Sequence, residues 1–337
     1  MKSYHLSLGV GIDGLTLRDH AIPRPGPGQA VVKIRAVSLN ARELYILRGH
    51  YPLPIKPDVI AVSDGAGEVV AAGPNVTRAK PGDRVMANLF PLWLDGPFAF
   101  ELALQIGGSL DGMLTEYALL DEAALVPVPD YLSYEEAATL PCAALTAWNA
   151  LMGGRRPIPG ESVLIIGSGG VALFTLQFAK LAGLRAVVVT TRPGNTDQLK
   201  VLGADAVIDA KANPEWHTEV RAATGGRGAD HVIESGSGQT MERSLKSVAV
   251  QGQVAFVGAL GSQTTMIDAR VLRGPMADLR FIAVGSRTQF TAMNRAITQA
   301  QLKPVIDRVF PFAETIAAFR YFESNQNFGK VVIRVNE

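Results

Sequence analysis

Ser162-Val163-Leu164-Ile165-Ile166-Gly167-Ser168-Gly169-Gly170-Val171-Ala172 decides the fold. Residues 162–166 read as a parallel strand buried on both faces, because the run is apolar without alternation. The next six residues have the form G-x-G-x-x-A and open a helix expected over 171–182, closed by Gly183. Gly167 permits the tight turn, Gly169 lets the backbone approach a pyrophosphate, and Ala172 keeps helix and strand close. The free N–H groups and the dipole at the helix start then face the anion. Gly167, Ser168, Gly169, Gly170 and Val171 are therefore the expected diphosphate cradle of a dinucleotide.

Outward from this turn, strands and helices alternate. Strands are expected at 186–189, 206–208, 231–233 and 253–257. Helices fall at 196–202, stopped by Gly203, and at 215–223, started by Asn213 at the N-cap and Pro214 behind it. Five strands in such a series form a doubly wound parallel sheet with right-handed crossovers. Upstream, 134–152 reads as one helix. Residues 1 to about 130 read as short strands, among them 30–37 and 67–72, separated by Pro/Gly turns. After residue 288 come helices at 289–300 and 313–323 and a last strand at 330–335. That strand has no neighbour of its own, so it is expected to return to the N-terminal β module. The expected domains are 1–130 with 288–337, and 131–287.

The second strand should end in Asp or Glu if the ribose 2′-OH of NAD is to be held. It ends Val189-Thr190-Thr191-Arg192. No carboxylate there repels a 2′-phosphate, and Arg192 offers a planar donor fork beside the hydroxyls of Thr190 and Thr191. NADPH is expected over NADH.

Composition removes other classes. The 337 residues carry 32 Lys and Arg against 31 Asp and Glu, a net charge of +1, so no bulk attraction to nucleic acid or acidic membrane is expected. No stretch approaches the roughly 18 uninterrupted apolar residues of a membrane span. A single cysteine, Cys142, excludes an internal disulfide framework and a zinc site built from several thiolates, and fits a reducing, cytoplasmic setting.

Further segments carry a resemblance. They are Ser63-Asp64-Gly65-Ala66-Gly67-Glu68-Val69-Val70, Lys80-Pro81-Gly82-Asp83-Arg84-Val85, Asp111-Gly112-Met113-Leu114-Thr115-Glu116-Tyr117, Ala138-Thr139-Leu140-Pro141-Cys142 with Ala144-Leu145-Thr146-Ala147-Trp148, Gly226-Arg227-Gly228-Ala229-Asp230, and Phe328-Gly329-Lys330-Val331-Val332. In this order the chain resembles, nearly end to end, the medium-chain dehydrogenase/reductase superfamily, and within it zinc-independent quinone oxidoreductase-like and alcohol dehydrogenase-like members. The resemblance implies an α/β protein: a GroES-like, mostly-β catalytic domain made of both chain ends, a Rossmann nucleotide domain between them, and an active-site cleft at their junction. It further implies cofactor contacts from Thr146, from Ser235 and Gly236 within 235–238, from Val257 and Gly258, and from Lys330 on phosphate. A strand matching 279–284 is where such relatives dimerise, so a homodimer is expected.

Zinc members of that family hold their metal with Cys, His and a second Cys or an acid. The matching positions here are Asn40, Ser63 and Cys142, a poor set, and the four-cysteine structural lobe is absent between Asn88 and Gly112. The five histidines, His5, His20, His50, His217 and His231, lack metal-ligand spacing. No metal is expected. Without a Lewis acid, charge on the substrate must meet hydrogen-bond donors and a proton from a side chain. The resemblance points to Tyr51, in Arg48-Gly49-His50-Tyr51-Pro52, as general acid or oxyanion donor, to Tyr45 second, and to Asn40 as a positioning donor near nicotinamide. The expected reaction is hydride transfer to a quinone or an α,β-unsaturated ketone or aldehyde, since conjugation spreads the developing charge. Two alternatives stand beside it: an NADP-dependent alcohol dehydrogenase or ketone reductase, and a non-enzymatic NADPH-binding module. The aromatics of 90–108, Trp93, Phe98 and Phe100, and also Trp148, are candidates to wall an apolar pocket.

Overall fold

Residues 1–236, 238–258 and 266–336 are described by a computed structural model, apart from the Gln239 side chain. In chain order the first part holds β1 (Lys2–Leu6), β2 (Leu15–Asp19), β3 (Gln29–Ser38), α1 (Ala41–Leu47), β4 (Asp64–Ala72), β5 (Arg84–Ala87), β6 (Tyr117–Asp121), β7 (Leu125–Pro127) and α2 (Tyr134–Ala137). The middle holds α3 (Leu145–Met152), β8 (Ser162–Ile166), α4 (Gly170–Leu181), β9 (Arg185–Thr190), α5 (Thr196–Val201), β10 (Ala206–Asp209), α6 (His217–Ala223), β11 (Ala229–Glu234), α7 (Gly238–Ser247), β12 (Val248–Val257), α8 (Ala269–Arg273) and β13 (Asp278–Ile282). The tail adds α9 (Arg287–Ala300), β14 (Ile306–Pro311), α10 (Thr315–Glu323) and β15 (Lys330–Arg334).

Two units result: Met1–Leu145 with Gly285–Glu337, and Thr146–Val284. The first crossing falls later than the expected residue 131, and local bonds explain why. The Tyr131 hydroxyl donates to the Ile297 and Leu302 carbonyls, Lys303 pairs with Glu136, and Arg334 pairs with Glu135. Residues 131–145 are thereby tied to the tail. At the return, the Arg287 N–H donates to the Trp93 carbonyl at 3.0 Å, which draws the boundary back to 285.

In the first unit one sheet runs β14-β15-β3-β4-β5-β7, with β6 also on β3, and β1-β2 form a separate ribbon. β15 lies antiparallel to β3, with Val332 opposite Ser38. It also has the neighbour that the sequence did not disclose: β14, parallel to it. Alternating buried positions of β3, among them Val32 and Ile34, face a core completed by Leu47, Met113 and Phe319. Each such side chain, fully buried, stabilises by roughly 1.5–3 kcal/mol.

The second unit is a six-stranded parallel sheet in the order β10-β9-β8-β11-β12-β13. All five residues of β8 are buried, as a central strand of a doubly wound sheet requires. Two expectations shift. The helix expected over 134–152 is broken at Leu140–Ala144 by a π-helical turn, because Pro141 has no N–H to give and the Cys142 N–H goes instead to Asp64 Oδ2 at 2.9 Å. α6 starts at His217 rather than 215, because Asn213 Oδ1 accepts the Glu215 N–H and closes a separate turn first. Among the described residues, no helix is long and apolar enough to cross a membrane.

Candidate active site

The sheet order reverses at β8, which has β9 on one side and β11 on the other; ligands of open parallel sheets bind at the carboxyl ends of strands at such a point. The turn there is built as the glycines demand. Gly167 has φ +93°, a left-handed value, and its N–H donates to the Val189 carbonyl at 2.7 Å. Gly169 caps α4, and a Cβ added to it would meet no atom within 4 Å, so the space in front of the helix is open. The first bond of α4 runs from the Leu173 N–H to the Gly169 carbonyl, leaving the N–H groups of Gly170, Val171 and Ala172 for an anion. This cradle fits a pyrophosphate.

Neighbouring turns are laced to it. Ser168 is buried, and its Oγ accepts from Asn195 Nδ2 at 3.0 Å. Thr190 Oγ1 accepts the Arg192 N–H at 3.0 Å; Arg192 itself is half-buried, and burial draws its pKa down. Thr191 is exposed beside it. Ser235 donates to the Ile166 carbonyl at 2.7 Å, and Gly236 donates its N–H to Glu234. Val257 is buried at the end of β12, Gly258 follows at φ +65°, and Thr146 is buried on α3. Ser237, between Gly236 and α7, lies outside the described residues.

Glu234 and Asn195 had no part in the sequence reading. The Glu234 carboxyl is buried among neutral donors, the Gly236 N–H at 2.6 Å, Thr240 Oγ1 at 2.8 Å and Ser244 Oγ, and burial pushes its pKa up. Its only sequence signal was a lone acid closing an apolar strand.

In the first unit, the antiparallel register of β15 on β3 and of β3 on β4 brings three chain segments to one buried polar array. The Lys330 ammonium donates to Asn40 Oδ1 at 2.5 Å and to the Leu39 carbonyl at 2.7 Å. Asn40 begins α1, and its Nδ2 faces the Ser38 carbonyl at 3.5 Å and the Asp64 carboxylate. Asp64 accepts the Cys142 N–H and the Ser63 hydroxyl, the latter at 2.7 Å. Ser63 Oγ and its N–H also lie 3.1 and 3.2 Å from Glu43 Oε1. Arg42 Nη1 is 3.2 Å from both Glu43 oxygens, its Nη2 donates to Gln105 Oε1 at 2.7 Å, and its guanidinium carbon stands 5.1 Å from the Tyr51 ring centre. Just before Ser63, Val62 holds φ +68°, a strained value for a β-branched residue, of the kind that gathers at functional sites.

Burial governs the titration of this array. It pushes the Asp64 and Glu43 carboxyls up and draws the Lys330 ammonium down, against the attraction of Asp64 for that ammonium. It pushes the Cys142 thiol up to about 12, with Asp64 adding to the shift. For Arg42, burial favours neutrality, but Glu43 and Tyr51 outweigh it and hold the guanidinium cationic. Tyr51 is half-buried against the core, and Tyr45 is half-buried on α1.

Residues 26–130 match the alcohol dehydrogenase GroES-like domain, and 202–333 match a family described as zinc-binding dehydrogenase. A zinc-type alcohol dehydrogenase-like protein of Schizosaccharomyces pombe is 39% identical over 334 residues, 97% of this chain and 96% of that protein. The chain belongs to the zinc-type alcohol dehydrogenase-like medium-chain dehydrogenases/reductases. A solved structure from Sinorhizobium meliloti 1021, described as an alcohol dehydrogenase, superposes with a TM-score of 0.92 at 35% identity and 99% coverage of both chains. The 2-methylene-furan-3-one reductase of Solanum lycopersicum is 31% identical, over 99% of this chain and 79% of that protein. As a medium-chain dehydrogenase/reductase, the protein is an NAD(P)-dependent oxidoreductase, and the non-enzymatic alternative is set aside.

The family's zinc meets an unsuitable donor set in this member. The Asn40 amide oxygen is held by an ammonium, the Ser63 hydroxyl is engaged by two carboxyl groups, and Cys142 is the one soft ligand among the three positions. Among the described residues, no group of three His, Cys, Asp or Glu side chains is placed to hold a metal. Lys330, expected on a cofactor phosphate, has its ammonium buried and donating to the Leu39 carbonyl and Asn40 Oδ1. Arg42, Glu43 and Gln105 went unread in the sequence. Asp64 stood in a quoted segment without a role; adjacent Arg and Glu in an otherwise apolar short helix were the available signal. Phe90 and Trp93 are buried among packed rings, whereas Phe100 is exposed; Trp148 packs edge-on against Phe178.

Proposed function

We propose that this enzyme is an NADPH-dependent reductase that works without zinc on a quinone or an α,β-unsaturated ketone or aldehyde. The observation that carries the reading is the array itself: the positions that hold zinc in relatives all meet the Asp64 carboxyl, with Asn40 also bonded to Lys330 and Ser63 to Glu43. When bound, the nicotinamide supplies the hydride. The chain supplies the rest. The α4 N-terminus receives the diphosphate, and Arg192, at a strand end with no carboxylate, favours a 2′-phosphate. Tyr51 donates the proton that follows hydride transfer, Tyr45 is second in line, and Asn40 joins the Lys330 ammonium to the Asp64 carboxyl. Relatives named acryloyl-coenzyme A reductase, 27% identical, and 2-methylene-furan-3-one reductase support an activated C=C as the target.

A second reading, alcohol or ketone chemistry, is favoured by one specific likeness: a solved NAD-dependent alcohol dehydrogenase, TM-score 0.90 at 30% identity, covering both chains fully. The experiment separating the two mixes metal-analysed protein with NADPH and a small unsaturated ketone and identifies the product by NMR. A saturated ketone from zinc-free protein supports the proposal. An allylic alcohol, or activity that follows bound zinc, overturns it. We also propose a homodimer through β13, an edge strand on which Phe281 is 76% exposed; sedimentation equilibrium reading a monomer refutes it.

A further inference from the structure

We propose that Arg42 is a positioning residue for Tyr51: its buried guanidinium fixes the phenol ring and faces the negative charge that proton donation leaves behind. This rests on the reading of Tyr51 as general acid, and it adds a residue that neither the spacing nor the resemblance indicated.

Geometry carries the argument. Arg42 is 5% exposed and pinned on two sides, by both Glu43 oxygens and by Gln105 Oε1. Glu43 in turn accepts the Ser63 N–H at 3.2 Å. The guanidinium therefore cannot swing away when the charge nearby changes. Tyr51 lies over it at 5.1 Å, close enough to help hold the guanidinium cationic. A buried ion pair used only for packing gains little over an apolar pair of the same volume, since desolvation offsets the attraction. A fixed cation beside a phenol does something an apolar pair cannot.

Hydride addition reduces the conjugated substrate by two electrons and oxidises NADPH to NADP; the enolate then takes the Tyr51 proton. The phenol O–H breaks, a C–H bond forms at the α-carbon, and the phenolate beside Arg42 is reprotonated from water. A cation already in place stabilises that phenolate without reorganising at the moment of transfer. The other titratable groups around the pair are Glu43 on the same helix, the Cys142 thiol, Asp64 and Lys330 beyond them, and His50 next to Tyr51 in the chain. Arg42 is the one placed over the ring.

The test uses Tyr51→Phe, Arg42→Lys, the paired Arg42→Met/Glu43→Leu, which leaves no lone buried charge, and the triple variant, each checked by circular dichroism and by cofactor affinity. Tyr51→Phe should lower kcat at least about 100-fold. The Met/Leu pair should lower kcat about tenfold with cofactor Kd and substrate KM unchanged, because the fixed cation beside the phenol is gone. Arg42→Lys, which keeps a cation at the site, should recover most of that loss. In the Tyr51→Phe background the pair should cost nothing more. Parent kcat in the Met/Leu pair, or losses that multiply with Tyr51→Phe, overturns the role of Arg42 while leaving Tyr51 as the acid. Full activity in Tyr51→Phe overturns both at once.

Discussion

Lys330 and Asn40, 290 residues apart in the chain, are joined by a 2.5 Å hydrogen bond from ammonium to amide oxygen. Because an ammonium only donates, the bond also fixes which way the Asn40 amide is turned: its oxygen faces Lys330 and its nitrogen faces Ser38 and Asp64.

Lys330→Met removes the cation and leaves the Asp64 carboxyl buried without it. The variant should lose about 3 kcal/mol or more of stability, seen as a lower Tm, while NADPH affinity stays within about threefold, a change worth under 1 kcal/mol. Adding Asp64→Asn should restore part of the Tm. A large rise in cofactor Kd with Tm unchanged would instead return Lys330 to phosphate binding.

Gly169→Val should abolish dinucleotide binding without unfolding the protein. Gly169 has φ −83°, which valine adopts, and its Cβ would enter open space in front of α4, so the fold has nothing to lose. Quenching of protein fluorescence by NADPH checks this; undiminished quenching with intact Tm would remove the cradle from cofactor binding.

Arg192→Ala should weaken NADPH by about tenfold or more and NADH far less, since a charge-assisted bond to a phosphate is worth roughly 1.5–3 kcal/mol. Equal losses for both cofactors would mean that Arg192 does not read the 2′-phosphate.

Acid should weaken the nucleotide unit through Glu161. Burial works against this carboxylate, but Arg155, the Ile158 N–H and His231 outweigh it and hold its pKa down to about 2. A pKa lowered by folding contributes stability that is complete above the unfolded value and is lost as pH falls toward the folded one. The loss should therefore run from about pH 4.5 down to about 2. Buried His231, whose pKa burial lowers, acts in the same direction from near pH 6.5. Glu161→Gln should flatten the acid limb of urea midpoints; a limb unchanged in the variant would assign the acid sensitivity elsewhere.

What the sequence disclosed and what it withheld divide along physical lines. Gly167, Gly169 and Ala172 were readable because each answers a demand made by its immediate neighbours: a left-handed φ, a bare Cα, a close helix. The central strand was readable because burial on both faces leaves an apolar run. The bonds of Lys330 were not, since they depend on the register of β15 against β3, which no local pattern specifies. Strand β14, Ile-Asp-Arg-Val-Phe-Pro, was missed because four of its six residues are exposed and its apolar residues do not alternate. The π-helical turn at Leu140–Ala144 was hidden in the same way, its cause being an acceptor on Asp64, 78 residues upstream. Tyr51 and Asn40 came from resemblance; Arg42, which meets Tyr51, came from neither.

The division of the first unit between both chain ends has a consequence for biosynthesis. Residues 1–145 leave the ribosome carrying Asn40, Asp64 and the bare edge of β3, while Lys330 and β15 are still nearly two hundred codons away. The Thr146–Val284 unit, continuous in sequence, is complete first and can fold while translation proceeds. The earlier-made segment must wait, its future core exposed, until the final strand is released to close it. A nascent chain stalled before residue 330 should thus be protease-sensitive in its N-terminal third and resistant in its middle.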